Sequence, residues 1–125
     1  MIQTSGYVSV EEITKKNRDY TIFTVHTEPS RYAFDMCIAN AVKGDFIGYF
    51  GSRKLDKDRR IILNLGETLD MDNAGFTATQ VLNRLCRNQN LDKLILMDCS
   101  DSVERLLTIT QTEDQYEFIK NFNEL

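Results

Sequence analysis

Two aspartates in one loop are the carboxylates whose spacing could support catalysis or metal binding. Asp70 and Asp72 lie two residues apart, directly before a segment with helical periodicity. Paired carboxylates can transfer protons or bind a cation. One aspartate acting as a helix cap, beside a second that is a solvated turn residue, explains the same pair without chemistry. We favour this second interpretation, and the sequence predicts no metal site.

The single histidine and the three cysteines offer little further chemistry. His26 has no nearby cysteine and no paired carboxylates, which makes it a poor metal ligand. Cys37, Cys86 and Cys99 show no CxxC spacing, and thiol catalysis would need a base that only His26 could supply. Cys37 and Cys86 fall in apolar patterns, which predicts buried free thiols in a reducing cytoplasm. We therefore expect no enzymatic activity and no cofactor.

The segment 61–65 predicts a strand that is buried on both faces of a sheet. Four of its five residues are apolar, charged residues precede it, and Gly66 follows it. A turn at 70–75 leads directly into a helix with one continuous apolar face. That face contains Ala74, Ala78, Val81, Leu82, Leu85 and Cys86. Asp72 or Asn73 can cap the helix, and its unpaired N–H donors suit a contact surface or an anion site.

This strand, turn and helix resemble the STAS domain, the fold of the bacterial anti-sigma-factor antagonists. The family signature is an apolar strand ending near Leu-Asp-Leu, followed by Met-Asp-Ser-Ser-Gly-Leu at the start of a helix. Here residues 63–65 are Leu-Asn-Leu, and residues 71–76 are Met-Asp-Asn-Ala-Gly-Phe. A second apolar strand at 93–98 and a helical pattern at 103–107 match the family's next strand and helix. The resemblance covers residues 8 to 120.

The resemblance implies an α/β fold with a small mixed β-sheet and helices packed mainly on one face. The length of 125 residues is that of one domain, so we expect a single STAS-like domain over 1–125. In the family, the helix start contacts a protein partner. The corresponding residues here are Asp72, Asn73, Ala74, Gly75, Phe76 and Thr77. Phe76 lies off the apolar face, so it either folds back over its own turn or forms an exposed apolar anchor.

The resemblance fails at the residue that carries the family's regulation. The serine or threonine that becomes phosphorylated corresponds to Ala74, and the serine before it corresponds to Asn73. Neither side chain has a hydroxyl. A phosphate there adds about −1.5 to −2 charges to the contact surface, and partner binding is lost. Ala74 would therefore leave the protein locked in its binding form. The sequence leaves open whether Ala74 is natural or an engineered replacement of serine.

The segment 45–60 departs from the family, which has a short linker before the central strand. Its apolar part contains Phe46, Tyr49 and Phe50, which either complete the core face of the first helix or form an exposed interface. Its charged part, 53–60, has five basic and two acidic residues. This charged part is either a solvated loop or a docking patch for an anionic surface.

The remaining elements are predicted from local signals. Residues 7–26 indicate a β-hairpin. The first helix is expected to begin near Pro29, and Gly44 can end or break it. Asp101 and Glu104 form a pair similar to a capping box at the start of the third helix. Residues after that helix predict a short last strand or turn.

Charge and hydropathy narrow the possible partners. The net charge of −4 argues against nucleic acid as a general partner. The sequence shows neither an apolar run of membrane-spanning length nor a secretory leader, so we expect a cytoplasmic protein without a membrane span.

The resemblance implies a non-catalytic, protein-binding regulator in bacterial signal transduction and transcription control. Its partner would be an anti-sigma kinase or a related regulator, and a homodimer is also possible. One alternative is a permanent structural or accessory subunit of a larger assembly, such as a transporter or a signalling scaffold. Another alternative is a small-ligand or nucleotide sensor.

Overall fold

The computed structural model describes residues 5–28, 31–51 and 53–125, which form a five-stranded mixed sheet, a two-stranded sheet and three α-helices. The elements are β1 Val8–Lys15, β2 Arg18–Val25, β3 Ala33–Phe34, α1 Met36–Phe50, β4 Arg60–Asn64, β5 Asp70–Met71, α2 Asn73–Asn88, β6 Leu94–Met97, α3 Asp101–Ile109 and β7 Tyr116–Ile119. The large sheet has the order β1-β2-β4-β6-β7. Only its β1–β2 pair is antiparallel. The small sheet pairs β3 with β5 in parallel. The predicted mixed α/β fold is confirmed.

A tight hairpin joins the first two strands. Lys16 and Asn17 both have positive φ, 53° and 63°, and they form a two-residue turn between β1 and β2. Such turns match the right-handed twist of the strands they connect. The strand that follows is covered on both faces, because Phe23 and Val25 face the helices while Ile22 faces the opposite side. The predicted hairpin is therefore confirmed.

All three helices pack on one face of the large sheet. Phe46 of α1, Leu82 of α2 and Leu107 of α3 are fully buried in one apolar cluster with Phe23 and Leu63 of the strands. Burial of this surface is the main force that holds the layers together. The prediction that the helices lie mainly on one face is confirmed.

The opposite face of the sheet carries a second, smaller apolar cluster. Ile62 and Ile95 are buried there, and Leu125 packs against them. The ammonium group of Lys15 donates a hydrogen bond to the carbonyl oxygen of Phe122, which ties the C-terminal residues to β1. Strands β4 and β6 are thus buried on both faces of the sheet, as the apolar run at 61–65 predicts for β4.

Helix α1 begins later and extends farther than predicted. It starts at Met36, with the carboxylate of Asp35 as its cap, whereas Pro29 lies outside the described residues. Gly44 neither ends nor breaks the helix, which continues to Phe50. A glycine inside a helix costs only about 1 kcal/mol. The apolar side chains beyond it bury enough surface to offset that cost.

The aromatic side chains at the end of α1 are core residues, which supports the first of the two interpretations and not an exposed interface. Phe46, Tyr49 and Phe50 are 0%, 2% and 4% exposed. Edge-to-face contacts join them to Phe23 and to each other, with ring centroids 5.1 to 5.6 Å apart. Such pairs add stability beyond the area they bury. These residues complete the core face of α1.

The hydroxyl of Tyr49 provides a test of this placement. It lies 2.9 Å from Thr21 Oγ1 and donates to Glu12 Oε1 at 2.9 Å. We expect Tyr49→Phe to lower the free energy of unfolding by about 1 kcal/mol, because two hydrogen bonds are lost in a partly buried site. Urea denaturation measures this change. Tyr32→Phe, at an exposed tyrosine, is the matched control, and an equal effect of both substitutions would contradict the assignment.

The charged segment before β4 is partly anchored to the fold. Arg60 is buried and donates to Glu117 Oε2 at 2.6 Å. Gln89 accepts a hydrogen bond from the N–H of Leu55 and donates one to the carbonyl oxygen of Arg53, both at 2.8 Å. Both lysines of the segment, Lys54 and Lys57, are exposed. It is therefore neither a fully solvated loop nor a uniform basic patch.

Candidate functional site

The predicted turn lies at the carboxyl edge of the parallel strands. Strands β2, β4 and β6 end at this edge, and α2 begins there at Asn73. Loop 66–69 follows β4 and leads to β5, which pairs with β3 beside the helix start. This edge is where α/β sheets usually present their binding residues.

Asp72 caps α2 and also fixes the start of α1. Its Oδ1 accepts hydrogen bonds from the N–H groups of Ala74 at 2.9 Å and Gly75 at 3.0 Å. Its Oδ2 accepts a bond from the N–H of Met36 at 3.1 Å. One carboxylate thus satisfies donors at two helix N-termini, where negative charge is favoured. Of the two caps that the sequence offered, Asp72 is the one used.

Gly75 packs against β3, which corrects its expected place on the partner surface. The residue is buried, and a Cβ built on it would lie 2.0 Å from the carbonyl oxygen of Phe34. Only glycine allows α2 to start this close to the backbone of β3. The family's glycine is therefore explained here by packing.

The other residues of the turn divide between the surface and the core. Asn73 and Thr77 are exposed, and Thr77 Oγ1 donates to the carbonyl oxygen of Asn73 at 2.8 Å. Ala74 and Phe76 are half-buried and pack against the main core cluster. Phe76 therefore folds back over its own turn and does not form a fully exposed anchor. The accessible part of the turn is Asp72, Asn73 and Thr77, with the half-buried Ala74 and Phe76 at its margin.

Ser100 connects the start of α3 to the same edge. Its Oγ accepts a hydrogen bond from the N–H of Val103 at 3.2 Å and donates to the carbonyl oxygen of Leu69 at 2.7 Å. The prediction that Asp101 and Glu104 form a capping pair is wrong, because Ser100 is the cap and Asp101 is already the first helical residue. The short serine hydroxyl can reach both the helix and the loop.

Three exposed apolar side chains lie beside the turn, and sequence reasoning missed them. Tyr32, Met36 and Leu69, here called the apolar patch, are 54%, 74% and 60% exposed. The N–H of Leu69 donates to the carbonyl oxygen of Tyr32 at 2.7 Å, and Met36 is bonded to Asp72. The pairing of β3 with β5 brings these distant residues together. No periodicity in the sequence marks them.

The same edge is strongly acidic. Segments 26–37, 66–77 and 98–104 contain eight acidic residues and one basic residue, Arg31. The acidic residues are Glu28, Asp35, Glu67, Asp70, Asp72, Asp98, Asp101 and Glu104. Within the described residues, no lysine or arginine forms an ion pair with any of them. This edge therefore carries more negative charge than the whole chain, whose net charge is −4.

His26 forms a row with Ser9 and Glu67 that the sequence did not indicate. Its Nδ1 lies 2.9 Å from Glu67 Oε2, and its Nε2 lies 2.9 Å from Ser9 Oγ. The order matches the serine, histidine and carboxylate of many hydrolases. However, Ser9 is exposed, and the side chains of His26 and Glu67 are 38% and 47% exposed. Because bulk water reaches all three, we interpret the row as a surface link between β1, β2 and loop 66–69.

Two of the three thiols are unsuited to nucleophilic chemistry. Burial raises the pKa of Cys86 and of Cys99 to about 12, so both are protonated at neutral pH. Cys37 is exposed on α1, which corrects the expectation of a buried thiol. It lies beside Ile38, which takes the core-facing position at this point of the helix.

Within residues 5–28, 31–51 and 53–125, no three His, Cys, Asp or Glu side chains lie close enough to hold a metal ion. None of the helices described is both long and apolar enough to cross a bilayer.

Solved structures share this fold. A candidate anti-sigma factor antagonist from Thermotoga maritima superimposes with a TM-score of 0.66 at 13% identity, over 92% of this chain and 89% of that one. An anti-sigma-factor antagonist (STAS) domain protein from Planctomyces limnophilus superimposes with a TM-score of 0.68 at 10% identity, over 92% of each chain. The anti-sigma factor antagonist SpoIIAA in its unphosphorylated form superimposes with a TM-score of 0.62 at 12% identity, over 94% of this chain and 91% of that one. No protein-family model matches the chain, and no curated protein matches it by sequence. The likeness confirms the predicted STAS fold.

Proposed function

We propose that this protein is a non-catalytic regulatory domain that binds a protein partner through the surface around the start of α2. The observation that carries this proposal is the fold shared with anti-sigma-factor antagonists over more than nine-tenths of the chain. The accessible turn and the apolar patch supply a contact surface at the edge where that family binds. The partner is a histidine-kinase-like anti-sigma factor or a related regulator in the bacterial cytoplasm.

The absence of a hydroxyl at Ala74 makes this binding insensitive to the family's phosphorylation switch. The nearest hydroxyl, that of Thr77, is one turn farther along α2 and is already bonded to the carbonyl oxygen of Asn73. A kinase that reads the helix start therefore finds no acceptor. The protein remains in its binding form whether or not ATP is present.

Restoring the family's residues tests this part of the proposal. With ATP and an anti-sigma-type kinase that binds the chain, we expect the wild type to remain unmodified at residues 72–77. The double variant Asn73→Ser, Ala74→Ser should become phosphorylated and release the kinase, because the phosphate adds about −1.5 to −2 charges to the contact surface. Mass spectrometry measures the phosphorylation, and gel filtration measures the release of the kinase. Asn73→Ser alone is the matched control. Phosphate on wild-type Thr77 would contradict the proposal that the protein is locked in its binding form.

Two measurements distinguish this proposal from its alternatives, a permanent subunit of a larger assembly and a small-ligand sensor. A permanent subunit would copurify with its assembly in constant ratio, independent of ATP. A ligand sensor is favoured by a cleft of about 380 Å³ at the opposite end of the molecule, lined in part by Arg53, Lys54 and Lys57. Their positive charges suit a phosphate-bearing ligand. Isothermal titration with nucleotides tests this alternative, and heat of binding that Lys54→Ala abolishes would support it.

A further inference from the structure

The apolar patch holds half of the strongly exposed large apolar side chains found in the described residues. The other three, Ile47, Ile109 and Phe122, lie in the last turn of α1, at the end of α3 and near the C-terminus. Tyr32, Met36 and Leu69 are instead joined through the β3–β5 pairing and the Asp72 carboxylate. Exposed apolar side chains carried by linked backbone segments at one edge suit an interaction surface.

The backbone that carries the patch is held in place. Tyr32 and Leu69 are joined by a backbone hydrogen bond, the carbonyl of Leu69 accepts from Ser100, and the N–H of Met36 donates to Asp72. These bonds connect the patch to the starts of all three helices. A surface ordered in advance loses less entropy on binding, so its apolar area contributes more of its energy to affinity.

Exposed carboxylates outnumber basic residues beside this patch, where Arg31, directly before Tyr32, is exposed as well. Asp70 follows Leu69 directly, Asp101 follows Ser100, and both aspartates are exposed. Neither has a lysine or arginine in ion-pair distance among the residues described. An acidic partner would place like charges against them, whereas a basic rim would complement them.

These charges disfavour a symmetric dimer contact and phosphate-bearing partners. A symmetric contact with a second copy would bring the same acidic edge of both molecules together, because each patch faces itself across a two-fold axis. Nucleic acids and anionic lipid headgroups present phosphates, which this edge repels. The remaining occupant is a different protein with basic side chains.

We propose that the apolar patch binds a protein surface that has an apolar centre and a rim of lysine and arginine. This inference rests on the proposed function and adds the chemistry of the partner. The apolar centre covers Tyr32, Met36 and Leu69, and the basic rim pairs with Asp70 and Asp101. The signature turn then forms one side of the contact, and Leu69 lies near its middle.

A pair of designed peptides tests the chemistry with the full chain. Both are synthetic amphipathic helices with the same leucine face, flanked by arginine and lysine in one and by glutamate in the other. We expect the basic peptide to shift the backbone amide NMR signals of residues 31–36, 69–72 and 100–102, and its affinity to fall as salt is added. The acidic peptide should not bind there. Equal binding of both peptides, or shifts confined to another face, would overturn the inference.

Substitutions within the patch separate this inference from the proposed function. Leu69→Ser and Tyr32→Ser should each lower the affinity for the basic peptide about tenfold. Asp70→Asn should reduce the salt dependence of that affinity. Ile109→Ser, at an equally exposed residue on α3, is the control and should have no effect. The same variants are then mixed with an anti-sigma-type kinase. If the kinase binds the wild type and Leu69→Ser equally, the inference fails and the proposed function stands. If no kinase binds while the basic peptide contacts the patch, the proposed partner class fails and the inference stands.

Discussion

Replacing Leu82 by alanine should lower the free energy of unfolding by about 2–5 kcal/mol. Leu82 is 0% exposed and lies in the middle of α2, in the cluster that joins this helix to α1 and to the sheet. The substitution removes the transfer energy of the buried methyl groups and leaves a cavity that rigid neighbours cannot fill. Urea denaturation, followed by far-UV circular dichroism, measures the change as a shift of the midpoint with an unchanged slope.

A leucine outside the core provides the control for this experiment. Leu69→Ala, in the apolar patch, should change the free energy of unfolding by less than about 0.5 kcal/mol, because its side chain is already in water. A loss below about 1 kcal/mol for Leu82→Ala would show that the buried face of α2 has been misassigned.

The central strand and helix could be predicted because their burial follows a simple period. The apolar run at 61–65 predicts a buried strand. The spacing of Ala78, Leu82 and Cys86 predicts the buried face of a helix. Of the six residues of the predicted helical face, these three are buried, whereas Ala74, Val81 and Leu85 are half-buried. Strands β4 and β6 lie side by side. A buried face imposes its pattern on the sequence, so it can be recovered from the sequence.

The limits of α1 could not be predicted, because tertiary packing overrides local signals there. Gly44 has the residue type of a helix end, yet the burial of Phe46 and Tyr49 keeps the helix intact beyond it. The helix start was displaced for a related reason. Residues Ala33 and Phe34 pair with β5, a contact with a strand far along the chain, and the helix can begin only after that pairing ends.

The candidate site was predicted only in part. The resemblance indicated the turn and the missing hydroxyl at Ala74, because both belong to one short run of adjacent residues that can be compared directly with the family signature. The apolar patch and the row of Ser9, His26 and Glu67 each combine residues from separate elements. Exposed residues leave no periodic signal, so only the pairing of strands reveals that they are neighbours.

Replacing Gly75 by alanine should destabilise the fold by about 1–3 kcal/mol, although alanine is the better helix former. Alanine is favoured over glycine inside a helix by about 1 kcal/mol. At Gly75, however, the new Cβ would lie 2.0 Å from the carbonyl oxygen of Phe34, and real contacts of this kind are essentially never closer than 3.0 Å. The oxygen belongs to the backbone and also accepts a hydrogen bond from the N–H of Asp72. It cannot retreat without disturbing the β3–β5 pair, so the clash outweighs the helical preference.

Two glycines of α1 make the expected sign easy to check. A Cβ at Gly44 or Gly48 would have no atom within 4 Å, so alanine there should raise the free energy of unfolding by about 0.4–1 kcal/mol. The same substitution thus has opposite effects on two helices of one molecule. Displacing β3 also moves Tyr32, so Gly75→Ala should weaken partner binding, while Gly44→Ala should leave it unchanged. Thermal unfolding and binding to the basic peptide measure both effects. If Gly75→Ala were as stable as Gly44→Ala, the helix start would not approach β3 as closely as described, and the explanation of the family's glycine by packing would be wrong.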